Sequence, residues 1–146
     1  MPTRIKADIT ETGKMPLRPA LHLMLLITAP SLCMAADWRL IERFQDIEMF
    51  YDASSIKRNR DEITVTTLTN YFKARNRGDG EFWSKTTIHT VYCGREKLIP
   101  RFSSDHEKHF AGGKVVDEGE IESAVVDAKP KTVAGAIHSA VCRVGA

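Results

Sequence analysis

Residues 62–72 read "EITVTTLTNYF". The stretch is dense in β-branched and aromatic side chains, the residue types that fit a pleated, half-buried surface. Its alternation predicts a strand with Ile63, Val65 and Tyr71 on one face and Leu68 and Phe72 on the other. Upstream, "WRLIE" (38–42) and "IEMFYD" (47–52) are short apolar-rich runs around the polar "RFQD", which fits a hairpin or a bend. Between them and the long strand lies "DASSIKRNRD" (52–61), a polar turn region in which Asp52, Ser54 and Ser55 can bond the local backbone.

Downstream, "KARNRGDGE" (73–81) reads as a glycine-containing loop and "FWSKTTIHTVYC" (82–93) as a second long strand. The chain turns at "GRE" into "KLIPRFSS" (97–104), where Pro100 calls for an edge or a bulge, and on into "DHEKHFAGGKVVDEGEIE". Gly112-Gly113 marks a turn or a close backbone approach. Several strands joined by short polar turns predict an antiparallel meander. The period then changes: "KPKTVAGAIHSAVCRV" places Val133, Ile137, Ala140, Val141 and Val144 on one helical stripe, with Thr132 as N-cap. An ideal helix sets Cys142 almost opposite that stripe, so the helix either frays before Cys142 or lies between the sheet and another surface. No internal repeat or low-complexity tract is present.

The first 36 residues differ from the rest. "LHLMLLITAPSLCMAA" (21–36) is a short apolar run ending in small residues behind an arginine-bearing start, the pattern of an export signal. Pro30 and its brevity argue against a membrane span. A start at Met15 forms a better leader than one at Met1, and cleavage falls after Ala35 or Ala36, leaving residues 37–146 as one domain. The net charge of +2 resides in this leader, where Arg4, Lys6, Lys14 and Arg18 face Asp8 and Glu11. The near-neutral remainder lacks the basic field of a nucleic-acid binder.

Cys33 leaves with the leader; Leu32 before it does not fit a lipid-attachment site. Two cysteines then remain, Cys93 and Cys142, and in an oxidising compartment they read as one disulfide. No His-and-Asn signature surrounds Cys93 to make it a nucleophile.

Other chemistry is sparse. His106 and His109 in "DHEKHF" are three apart, whereas a helical zinc-protease pair is four apart, so no metal site is expected. Asp52, Glu96, Asp105 and Asp117 show no acid/base spacing, and no phosphate loop or serine elbow occurs. The chain is read as a non-enzyme without cofactors. Arg77-Gly78-Asp79 forms a tripeptide that docks to integrins when it sits on an exposed turn, although Gly-Asp-Gly is also ordinary turn chemistry. Trp83, Arg75, Arg77 and Arg101 are candidate contacts, since aromatic and Arg side chains dominate binding hot spots; a core role for Trp83 competes with this.

Trp38, Asp52 within "FYDASSIKR", Ile56, "VYC" at Cys93, the Gly112-Gly113 segment and a final "AVC" at Cys142 together resemble the bacterial surface-adhesin protein E family over about Asp37–Val144. The resemblance implies an α+β fold: a six-stranded antiparallel sheet with a C-terminal helix tied to it by a disulfide. It also implies dimerisation and the binding of host matrix or serum proteins at the cell surface. The contrasting expectation is a periplasmic envelope protein or small-ligand binder, which would keep a concave pocket between sheet and helix.

Overall fold

Alternating side chains with every backbone group paired to a neighbour make a sheet, and one face of that sheet must be buried. The computed structural model describes residues 35–78, 80–122 and 124–144. Residues 1–34, which hold most of the export-signal reading, the Met15 start and Cys33, lie outside the described residues, as does Asp79. Among the described residues eight strands and one α-helix, besides two short 3-10 turns, follow in chain order: β1 Trp38–Arg43, β2 Ile47–Asp52, β3 Lys57–Asn59, β4 Glu62–Arg77, β5 Gly80–Tyr92, β6 Lys97–Lys108, β7 Gly112–Glu120, β8 Val126–Asp127 and α1 Val133–Arg143.

All the pairings are antiparallel, in the order β1-β2-β4-β5-β6-β7, with the short β3 on β4 and β8 on β6. The six-stranded path is the expected meander, and β3 and β8 are additions to it. β3 lies within the segment read as a turn. The expected loop at 73–81 is also corrected: β4 runs on to Arg77 and β5 begins at Gly80, so the connection is a tight turn with Gly78 at φ +56°. Its polar residues mark a ribbon end rather than a loop. Pro100 lies opposite His89 at a bulge. On the outer side of β6, β8 pairs with residues 97–98 and β7 with 102–108, so the missing N–H of Pro100 falls in the gap between them.

The "YDASS" corner is knotted by one carboxylate. Asp52 Oδ1 accepts from the Asp37 N–H, the Ser54 N–H and the Ser54 hydroxyl. Ser55 Oγ donates to the Asp52 carbonyl and accepts from the Thr66 N–H, which ties the corner to β4.

Cross-strand partners share a face. On one face Met49, Ile63, Val65, Val91 and Leu98 are buried beneath Ile137 and Val141 of α1. Thr132 caps the helix by accepting from the Gly135 N–H. Gly135 is required there, because a Cβ would collide with the Lys129 carbonyl. The inward seam is Ala134, Ile137 and Val141, not the wider stripe expected, for Val133 and Val144 are exposed. Cys142 remains within the helix, about 100° round from Val141, and bonds Cys93 with 5.7 Å between Cα atoms. That tether sets the rotation of α1, which is why Cys142 flanks the buried seam.

The opposite face is covered at one end by the β6–β7 turn, which folds back over the sheet. Phe110 N–H donates to Asn70 Oδ1, Ala111 N–H donates to Ser84 Oγ, and Ser84 Oγ donates to the Lys108 carbonyl. Phe110 and Ala111 both take positive φ, a costly conformation for non-glycine residues that these bonds hold in place. Asn70→Ala is expected to lower stability by about 2 kcal/mol by stranding the Phe110 N–H. Urea unfolding measures this, and an unchanged midpoint would contradict the anchoring role.

Candidate functional site

The face away from α1 carries two continuous cross-strand rows. One runs Leu40, Phe50, Leu68, Thr86, Ser104 and Glu118; the next runs Thr66, Ile88, Phe102 and Glu120. Leu68 is fully buried, while Leu40 (47%), Ile88 (36%) and Phe110 (52%) remain exposed. The Phe110 ring packs on Phe50 with centroids 5.3 Å apart. Apolar groups therefore stand among threonines on a rigid sheet, and α1 packs on the other face. Exposed apolar groups on a sheet face are the kind of surface that contacts between macromolecules use.

The far end of the sheet is polar and tightly paired. Arg77 Nη1 meets Asp117 Oδ2 at 2.6 Å and Arg77 Nε meets Asp105 Oδ2 at 3.2 Å. Lys85 Nζ lies 3.2 Å from Asp105 Oδ1. Asp105 is only 2% exposed, so two cations compensate one buried carboxylate. Tyr71 sits close by, edge-to-face with Phe82 and beneath the Arg75 guanidinium. Burial first, and then the Asp105 charge, push its hydroxyl pKa upward.

The residues singled out from sequence are thus dispersed. Arg77 is half exposed but committed to two carboxylates, and Gly78 forms the turn beside it. Trp83 is half-buried against the His109 ring, with centroids 5.2 Å apart. The Arg101 Nε–H donates to the Thr90 hydroxyl. His106 Nε2 bonds with the Thr86 hydroxyl, and His109 Nε2 donates to the Tyr71 carbonyl. Burial lowers the His106 pKa, while Asp105 and Glu118 oppose the shift. The partnership of Arg77 with Asp105 and Asp117 spans strands distant in sequence and leaves no local spacing signal.

Space between sheet and helix is filled by core side chains, where the small-ligand reading expected a pocket. A cleft of about 440 Å³ runs instead along the helix flank, lined by Glu42, Glu96, Lys131, Thr132, His138 and Ser139 among others. No described helix is long and apolar enough to cross a membrane.

The family model of surface-adhesin protein E matches residues 38–143. Two solved structures of Haemophilus influenzae protein E share the fold. One aligns at TM-score 0.62 and 13% identity, covering 80% of this chain and 94% of that one. The other aligns at 0.60 and 13%, covering 80% and 91%. A further structure of protein E, from a non-typeable strain, aligns at 0.58 and 12%, covering 71% and 75%. No curated protein matches the sequence.

Proposed function

We propose, on the premise that this chain belongs to the surface-adhesin protein E family, that it is an exported, non-enzymatic binding domain. Its partner is an extracellular protein of the matrix or serum class, and it engages that partner through the sheet face opposite α1. The observation that carries the reading is the exposure of Leu40, Ile88 and Phe110 on the face that α1 leaves open. The Arg77-Gly78-Asp79 tripeptide, of which Arg77 and Gly78 lie at the ribbon end, and Trp83 form a second proposed contact. Arg77 can reach a partner's acidic group only by giving up Asp105 or Asp117.

The test is binding of the processed domain to immobilised matrix and serum proteins. Leu40→Glu with Ile88→Glu places charges where a partner's apolar surface would sit, and at exposed positions it spares the fold. Affinity is expected to fall at least about tenfold, the loss of one ordinary hot spot. A domain carrying a scrambled 76–81 turn isolates the second contact. Failure of the unaltered domain to bind any protein of the panel would sink the proposal.

A further inference from the structure

Three donor side chains converge where the helix meets the sheet. Cys93 stands just past the end of β5, and His138 and Cys142 stand on α1. A spacing of four residues puts His138 and Cys142 on one face of the helix, one turn apart. The sulfurs of Cys93 and Cys142 and a ring nitrogen of His138 all lie within 4.8 Å of one another, and the three residues are half-buried. A second observation points the same way: His138 Nε2 is buried and has no hydrogen-bond partner. Beside a closed disulfide the ring has little to bond to, whereas beside two thiolates it completes a ligand set.

We infer that the reduced chain holds a zinc-class divalent cation on Cys93 Sγ, Cys142 Sγ and a His138 ring nitrogen, and that closing the disulfide expels it. Two thiolates and one imidazole form the donor set of an open zinc site whose fourth position takes water. Zinc–sulfur legs of about 2.3 Å hold two sulfurs roughly 3.8 Å apart. The two sulfurs, bonded to each other here, separate to that span when the bridge opens. His138 also lines the flank cleft with Glu42 and Glu96, so water and cations have access from that side. The last turn of α1 presents the negative end of the helix dipole, which favours a cation there.

The exchange balances with a dithiol as reductant. One of its thiolates attacks a sulfur of the bridge and forms a mixed disulfide. Its second thiolate then displaces the protein sulfur, and the reductant leaves as a cyclic disulfide carrying two electrons fewer. Cys93 and Cys142 each take up a proton and release it to solvent as the cation binds. The strand end and the helix are thereby tied together in both redox states.

Native mass spectrometry of the purified chain with one equivalent of zinc tests the inference. The disulfide form is expected to carry no zinc, and the dithiol-reduced, desalted form to carry one. His138→Asn leaves the disulfide-bonded fold intact, read by circular dichroism, and its reduced form is expected to bind zinc at least about tenfold more weakly. Cobalt in place of zinc should show thiolate-to-metal charge-transfer absorption only in the reduced chain. Where reduction alone unfolds the protein, zinc is expected to restore the thermal transition. Equal zinc binding by reduced His138→Asn, no zinc on the reduced chain, or no recovery of the transition would each overturn the inference.

Discussion

Replacing Cys93 and Cys142 together with alanine is expected to lower stability by about 4 kcal/mol. The bridge closes a loop of 49 residues, and chain entropy assigns a crosslink of that span about 4 kcal/mol. For a domain of this size the thermal midpoint should fall by roughly 15 °C or more. The loss should be uneven. α1 buries only Ile137 and Val141 fully, and an eleven-residue helix is marginal without tertiary support. Released from β5, it should lose amide protection before the central strands β4, β5 and β6 do. Thermal unfolding followed by circular dichroism, with hydrogen exchange of α1 read separately, checks both parts. A midpoint lowered by less than about 5 °C would show that the sheet and the apolar seam hold the helix unaided.

Strands and bridge were legible for different reasons. The period-2 alternation of 62–72 is local, and the sheet built from it agrees at every register from Ile63↔Val91 to Asn70↔Ser84. The disulfide follows from cysteine count once the chain is read as exported, with no geometry needed. What local reading missed was set by distant partners. Arg75 and Arg77 look like loop residues, yet they extend β4 because Phe82 and Gly80 pair with them and Asp105 and Asp117 receive Arg77. The helix stripe was misplaced because the bridge at Cys142 sets its rotation, so Val133 and Val144 face solvent. The β6–β7 turn was visible as Gly112-Gly113, but nothing near it announced that Phe110 would reach Phe50 and Asn70. The open apolar face is legible only through register: Leu40, Phe50 and Leu68 are neighbours across three strands, not along one.

Acid should destabilise this domain through one buried histidine. His89 projects from β5 and is 7% exposed, with Nε2 3.0 Å from the Thr67 hydroxyl and Nδ1 without a partner. Among the described residues no carboxylate compensates an imidazolium there, and burial lowers its pKa from 6.5 to about 4. Below pH 6.5 the unfolded chain takes up a proton at this position while the folded chain does not. The unfolded state then binds more protons, so stability falls as pH drops, and the loss levels off below about 4. A shift of this size amounts to about 3 kcal/mol across the window. His106, whose pKa burial also lowers, adds in the same direction. Denaturant unfolding of the wild type and of His89→Gln at several pH values between 7 and 4 separates the residue from the rest. The amide retains a partner for Thr67 and carries no titrating proton. The variant should therefore be less stable than the wild type at neutral pH, where packing is disturbed, yet lose less stability on acidification. Parallel pH profiles for the two proteins would place the acid sensitivity elsewhere.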